Sequence, residues 1–427
     1  MKLHWQIIIA LGLAVVFGLA SSLEFDVSLL GFSFYPAYKF IGTLFLNALK
    51  MIIVPLVVSS IIVGVAGIGS SGDFGRLGGR TLMYYIATSF VSITIGLLVV
   101  NAIEPGIVNG EPVKEQINLT ADVSAITAKV EGRSASDVVE VFIRMVPPNI
   151  ISAAADGQML GLIFFSLLFG YFIARIGEPY AESQYNFWQG MYEVMLRITL
   201  LIMKFAPIGV FGLVAAVVSD TGAGQFLTLM ETLGLFFMSV VLALSIHAFV
   251  VMPLVLRFVA GVNPLRHYRA MAPALLTAFS TASSSATLPL TIECVEKNAG
   301  VSNRTSSFVL PLGSTVNMDG TALYECVAAI FIAQAYGLDL SFTQQFVIVL
   351  LALLTSIGVA GIPSASLVAI TIILSYIGLP AEGIALIFVV DRILDMCRTA
   401  VNVFSDSCGA VTIGKLEGEE NILKENA

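Results

Sequence analysis

Apolar runs long enough to cross a bilayer, which takes about 20 helical residues, recur along this chain between short polar breaks. They lie at the N-terminus (MKLHWQIIIALGLAVVFGLASS) and near 38–68, 81–103, 158–176, 186–218 and 226–260, and an almost unbroken apolar tract follows from 270 to 414. The first run starts on a basic residue, as a secretory signal peptide does. It continues to spanning length and more runs follow, so it reads as a first membrane helix. Runs well above spanning length imply tilt. Lys2, Arg76, Arg80, Arg175, Arg257, Arg266 and Arg269 occupy the N-terminus and the connections after the second, fourth and sixth runs. Glu24, Asp26, Glu104, Glu111, Glu115 and Asp220 occupy the connections between. Basic connections stay inside, which places the N-terminus in the cytoplasm. The stretch 107–140, bearing Pro, Ser and Thr, reads as an extracellular loop with a sequon at Asn118-Leu119-Thr120.

Two segments of the long tract are interrupted by small residues and proline: TAFSTASSSATLPLT at 277–291 and TSIGVAGIPSASLVA at 355–369. Unpaired backbone at membrane depth survives only where protein covers it or water lines it. Paired interrupted segments of this kind mark transporter sites built from inverted repeats.

Composition narrows the class. Hydrophobic residues make up 57% and charged residues only 12%, so lipid is part of the solvent. With 21 Lys+Arg against 29 Asp+Glu and no basic run, the chain is no nucleic-acid binder. Cys294, Cys326, Cys397 and Cys408 lack metal or redox spacing, and His4, His247 and His267 are scattered, so these residues read as structurally neutral.

Charge that is scarce overall is concentrated in DRILDMCRTAVNVFSDSCGA, 391–410. At ~100° per residue with Asp395 at zero, Asp391 falls near −40°, Arg398 near −60°, Thr399 near +40°, Asn402 near −20° and Asp406 near +20°. These residues share one stripe on an otherwise apolar helix. Ionisable groups inside a membrane face a bundle interior or cavity and mark pathways. A second cluster, GSTVNMDGTALYE at 313–325, brackets a glycine with Asn317, Asp319 and Thr321, which suits a locally unwound helix offering oxygens to a hard cation. Tyr85, Thr88 and Ser89 add a phenol and two hydroxyls on one helix turn.

With these motifs the chain resembles the sodium-coupled glutamate/aspartate transporter family, the dicarboxylate/amino acid:cation symporters that include the excitatory amino acid transporters. The resemblance runs from ALKMIIVPLVVSS (48–60) through YYIATS (84–89), APIGVF (206–211), the serine-rich segment, NMDGT (317–321) and Gly361-Ile362-Pro363 to the Asp391–Asp406 stripe. It implies an all-α integral membrane fold of eight transmembrane helices plus two re-entrant helical hairpins, with inverted repeats, assembled as a homotrimer and working as an elevator. The implied divisions are scaffold helices at 1–80 and 141–222, transport-domain helices at 81–106 and 223–260, hairpin 1 at 264–298, the NMDGT helix at 302–336, hairpin 2 at 342–379, the last helix at 381–414 and a cytoplasmic tail at 415–427.

Carried over by position, the resemblance assigns substrate contact to Ser284, Thr321, Asp395, Arg398, Thr399 and Asn402, with backbone near Ile362 and Ser366. One implied sodium site joins Asp406 to carbonyls of Gly313, Asn317 and Asn402. A second joins Met318 and Thr315 to carbonyls of Ser356, Ile357 and Val359. The third uses Tyr85, Thr88, Ser89, Asn317 and Asp319. Sodium is thus co-transported, and no organic cofactor is expected. A guanidinium forks onto a carboxylate, so Arg398 suits an acidic side chain and Asp395 the substrate ammonium. Neutral exchangers of the family lack the arginine and dicarboxylate members lack the carboxylate, so the pair favours glutamate or aspartate, which one methylene separates by only ~1–3 kcal/mol.

Ala282 and Met396 stand where relatives carry a second arginine, and Arg392, less than a turn before Asp395, is its candidate substitute. Glu325 matches the carboxylate that animal members use for proton coupling and is the proton-carrying candidate. An intramembrane hydrolase using Ser283–Ser285 is the competing class, and it lacks a nearby His or Lys base in the sequence. A multi-pass protein of a bacterial inner membrane is the expected setting.

Overall fold

The computed structural model describes residues 3–22, 34–69, 75–113, 143, 146–155, 159–221, 226–358, 366–379 and 381–423. Among these the chain is almost wholly helical. The exception to the all-α expectation is a two-residue ribbon, Ile107–Val108 against Glu111–Pro112, antiparallel with Ile107 opposite Pro112. Asn109 and Gly110 make its turn with φ of 54° and 83°, the Asn-Gly pairing that tight hairpins favour. It opens the 107–140 loop; the sequon and the rest of that loop lie outside the described residues.

The helices Leu3–Ser22, Tyr35–Gly69, Met159–Ile173, Tyr180–Lys204 and Ala206–Thr221 pack as one group. Glycine permits the closest crossing: a Cβ on Gly212 would lie 2.8 Å from the Tyr38 carbonyl oxygen. The apolar run at 186–218 is not one straight span. It divides at Phe205 into Tyr180–Lys204 and Ala206–Thr221, bent by 57°. Pro207 suits the break, because its missing N–H and fixed φ fit the first turn of a new helix.

The second group holds the functional elements. Gly75–Ile103 carries the Tyr85 hydroxyl cluster and is called the hydroxyl helix below. Phe226–Ile246 continues through π-helical turns at His247–Val251 and Val255–Val259, and is called the π helix. The first helical hairpin is Pro264–Thr281 and Ser284–Glu293, interrupted where the small residues fall; the second is Phe342–Gly358 and Ser366–Ile377, with residues 359–365 outside the described residues. Asn263 and Ser283 cap the two arms of the first hairpin, and its tip residue Ala282 is left-handed at φ 50°. Between the hairpins lies a broken helix, Asn303–Val316 and Asp319–Ala335, whose break residues Asn317 and Met318 leave the helical region. The final helix, Phe388–Leu416, carries the stripe unbroken.

Arg76–Ile103, Leu227–Val259 and Asn303–Ala335 are long and apolar enough to cross a membrane among the described residues, and the bent pair makes a fourth candidate. The broken helix is buried throughout its tested window, so it is the centre of the bundle. Phe331 stacks on Phe236 of the π helix at 4.5 Å, and Tyr268 of the first hairpin stacks on Phe404 of the stripe helix at 4.5 Å.

After Leu416 the chain folds back as a strap rather than trailing away. Glu417 pairs with Arg76 at 3.0 Å and Arg80 at 2.6 Å. Glu419 accepts from the Ser302 amide at 2.8 Å, the Ser302 hydroxyl at 2.6 Å and Thr305 at 2.5 Å, and the Leu423 amide donates to Ala299 O. Arg76 and Arg80 hold the Glu417 carboxyl below the usual range. Burial pushes Glu419 up, but the Ser302 and Thr305 donors outweigh it and leave it below.

Candidate substrate and cation site

The stripe residues meet as the ~100° periodicity requires. Asp391, Arg392, Asp395, Arg398, Thr399, Asn402 and Asp406 are all buried. The Arg398 guanidinium lies 3.8 Å above the Tyr324 ring and donates to Asp395 Oδ1 at 2.7 Å and Asp391 Oδ1 at 3.2 Å. Tyr324 OH also donates to Asp391 Oδ1, at 2.9 Å, which fixes the carboxylate that orients the fork. Arg392 reaches Asp395 Oδ2 at 3.3 Å, so the expected substitute arginine does touch Asp395. Asp395 is thereby held between two guanidinium groups.

Opposite it, Asn402 ties the stripe to the broken helix. Its Oδ1 accepts from the amides of Gly320 at 2.8 Å and Thr321 at 3.3 Å, and its Nδ2 donates to Thr321 Oγ1 at 2.9 Å. Thr399 bonds back to the Asp395 carbonyl. Ser284 is buried in the first turn behind its cap Ser283. Ser366 is buried at the start of the returning arm of the second hairpin, while Ile362 and Val359 lie outside the described residues. Among the described residues, Arg392 Nε, Arg398 Nε and Ser366 Oγ are buried donors without a hydrogen-bond partner. Buried donors left unmade are costly, and a carboxylate is the kind of group that satisfies them.

The residues expected to bind cations converge unevenly. Asp319 is the hub: its Oδ1 accepts from Ser89 at 2.6 Å and Thr88 at 3.4 Å, and Asn317 Oδ1 lies 3.4 Å from Thr88 Oγ1. Hydroxyls that donate to a carboxylate can turn their lone pairs to a cation, so Thr88, Ser89, Asn317 and Asp319 form an oxygen cage. Tyr85 contributes differently from the expectation of a phenol ligand. Its hydroxyl donates to Val309 O at 2.7 Å, and it presents its backbone carbonyl to Thr88 at 3.2 Å.

Asp406 accepts from Asn317 Nδ2 at 2.9 Å and lies directly against Gly313, where a Cβ would come within 2.6 Å of its Oδ1. The second implied set, around Met318 and Thr315, is less assembled. Thr315 and Ser356 each bond back to their own helices, at Leu312 O and Leu353 O, Met318 is buried at the break, and nothing is described of the Ile357 side chain. No group of three His, Cys, Asp or Glu residues suited to a metal ion occurs among the described residues, and the donors here are the hydroxyl, amide and carboxylate oxygens that hard cations take.

Two members of the hub were not anticipated. His247 Nε2 lies 2.9 Å from Asp319 Oδ2, and Ser405 Oγ donates to the same oxygen at 2.6 Å. His247 is therefore more than core packing; the π-helical turn at His247–Val251 places it at the hub. The available signal was its isolation as an ionisable group in an apolar span, since such groups seek partners. His267, by contrast, bonds to Ser407 away from these clusters.

Glu325 is fully buried; its Oε2 lies 2.9 Å from Thr355 Oγ1, and Oε1 has no partner among the described residues.

Residues 3–416 match the family model described as the sodium:dicarboxylate symporter family. The chain is 38% identical to a proton/sodium-glutamate symport protein of Geobacillus stearothermophilus, over 98% of this chain and 95% of that protein. It is 36% identical to the proton/glutamate-aspartate symporter of Escherichia coli (97% and 93% covered) and 36% identical to excitatory amino acid transporter 3 of Mus musculus (98% and 86%). These relatives are transporters rather than enzymes, and the family model covers nearly the whole chain: the chain belongs to the sodium:dicarboxylate symporter family.

Proposed function

We propose that the protein is a secondary active symporter that imports acidic amino acids, glutamate or aspartate, with sodium ions. The observation that carries this reading is the buried Arg398 fork, shared between Asp391 and Asp395 beside unpartnered donors at Arg392 and Ser366. A substrate carboxylate takes the place of Asp395 on Arg398, and Asp395 is released to the substrate ammonium. The similarity to glutamate and aspartate symporters supports the same substrate class.

Charge supports cation coupling. Counted as ions, the buried carboxylates Asp319, Glu325, Asp391, Asp395 and Asp406 exceed the buried guanidinium groups Arg392 and Arg398 by three. Burying unbalanced charge is costly, so bound cations, with a proton on Glu325, neutralise the site. The Asp319 and Asp406 clusters supply oxygens for sodium.

Glu325 is proposed as a proton carrier. Thr355 has one hydroxyl proton and lies 2.7 Å from Leu351 O and 2.9 Å from Glu325 Oε2. If that proton serves the shorter contact, a protonated Glu325 donates the other, which also avoids an uncompensated buried charge. The Gly75–Ile103 helix, the π helix, the hairpins, the broken helix and the stripe helix would move together against the remaining helices as an elevator, in a homotrimer embedded in the bilayer.

Uptake of labelled glutamate, aspartate, serine and succinate into liposomes, with and without a sodium gradient, tests the assignment. Sodium-independent uptake, or preference for serine or succinate, overturns it. Arg398→Cys is expected to lose acidic substrates, and Glu325→Gln to lose the dependence of uptake on external pH; retention of either property removes that residue from its role.

A further inference from the structure

The stripe helix has a second face. Cys397, Ala400 and Phe404 lie near 200°, 140° and 180° from Asp395 at ~100° per residue, opposite the functional stripe. They form one wall of a cavity of about 230 Å³. Leu244 and Ala248 of the π helix form the second wall, and Leu275 and Phe279 of the first hairpin the third. No charged side chain lines it. An apolar cavity of this size stays dry and takes an apolar ligand.

The cavity has a direction. At one end Tyr268 bridges all three walls: it donates to Ala248 O, stacks on Phe404 at 4.5 Å and stacks on Phe249 at 6.0 Å. From Tyr268 to Phe279 the hairpin arm rises ~16 Å at 1.5 Å per residue, the length of an extended acyl chain. The rim is apolar and exposed, with Phe249 at 67% and Phe279 at 40%, so in a membrane it is continuous with the lipid-facing surface. Beyond the Tyr268 end, Arg269 follows on the hairpin and Arg257 on the last π-helical turn, both exposed. Basic side chains at the cytoplasmic edge attract anionic headgroups.

We propose that this cavity is a binding site for an anionic phospholipid, with one acyl chain between the π helix, the first hairpin and the stripe helix and its phosphate at Arg257 and Arg269. A chain seated there backs the helix whose other face carries Arg398 and Asn402.

Cys397 is the reporter, because it is half-buried on the cavity wall while Cys294, Cys326 and Cys408 are buried. Delipidated protein is reconstituted in nanodiscs of phosphatidylcholine alone or with phosphatidylglycerol, alkylated with N-phenylmaleimide, and separately crosslinked with phosphatidylglycerol bearing a photoactivatable acyl chain. Phosphatidylglycerol is expected to slow Cys397 alkylation at least fivefold, with crosslinks concentrated in 241–249, 268–279 and 397–404. Ala400→Phe, which fills the cavity, is expected to cut the crosslinks at least fivefold; Ser245→Leu serves the same purpose should Ala400→Phe not fold. Arg257→Gln with Arg269→Gln is expected to abolish the preference over phosphatidylcholine while the crosslinks persist. Alkylation indifferent to lipid, or crosslinks no denser there than on 227–235, overturns the site, and equal protection by phosphatidylcholine overturns the headgroup assignment. None of these readouts uses transport, so they stand or fall apart from the symport reading.

Discussion

Gly320 is the point where the broken helix and the stripe helix touch most closely at the proposed substrate site. A Cβ there would lie 2.7 Å from the Arg398 carbonyl oxygen, 3.1 Å from Arg398 Cα and 3.2 Å from Asn402 Oδ1. Two of these are backbone atoms of an intact helix and cannot rotate away. Comfortable non-bonded separations are ~3.5–4.0 Å, so Gly320→Ala drives the two helices apart by roughly 0.5–1 Å. The 2.8 Å bond from the Gly320 amide to Asn402 Oδ1 then stretches to about 3.3–3.8 Å, weakened or broken.

Overpacking of this kind costs about 1–3 kcal/mol. At 1.4 kcal/mol per decade, the expected loss in acidic amino acid affinity is about 5- to 140-fold. Calorimetric titration of glutamate and aspartate at saturating sodium measures it. Gly234→Ala in the Phe226–Ile246 helix is the control, because its Cβ would meet nothing within 4 Å. It is expected to leave affinity unchanged and to stabilise the protein, since alanine in a helix is favoured over glycine by about 1 kcal/mol. Affinity within twofold of wild type in Gly320→Ala, with the control behaving as stated, would refute the placement of the substrate between Thr321 and Arg398.

Two further outcomes follow from the hub and the strap. His247→Ala removes a donor to a buried carboxylate, a bond of about 1.5–3 kcal/mol. It is expected to raise the sodium concentration for half-maximal uptake about tenfold, with His247→Gln closer to wild type; an unchanged sodium titration in both would exclude His247 from the Asp319 cluster. For the strap, both Glu417 and Glu419 are held below their ordinary carboxyl range, so their contribution is complete above that range and fades as pH falls through the lower folded values. Glu417→Gln with Glu419→Gln is therefore expected to lower the melting temperature by about 2 °C at neutral pH, a gap that closes in acid; a gap that widens in acid would contradict the assignment.

The parts of the site that could be read from the sequence are those where one element carries its own signal. The stripe is periodic along a single helix, so Asp391 through Asp406 could be placed on one face before any contact was known. The break at Asn317–Met318 and the two interrupted hairpins announce themselves as polar, Gly or Pro residues in apolar runs. The bend at Phe205 carried the same kind of signal in Ala206-Pro207 and was lost inside a long apolar run. The Asn-Gly turn at 109–110 was likewise absorbed into a loop.

What could not be read is the meeting of elements distant in the chain. Asp319 collects Thr88 and Ser89 from the hydroxyl helix, His247 from the π helix and Ser405 from the stripe helix. His247 is 72 residues from its partner, and no local pattern distinguishes a histidine aimed at that carboxylate from one like His267 that bonds to Ser407. The difference is made by the π-helical turn. A wider turn of backbone rotates His247 relative to the helix that precedes it, and only the packing of four helices around Asp319 gives that rotation a purpose. The same holds for the strap, whose acidic residues look in sequence like a solvated tail. They are ordered because Arg76, Arg80, Ser302 and Thr305 converge beneath the end of the stripe helix. A charge's position along the chain therefore says that it needs a partner, and the fold alone says which.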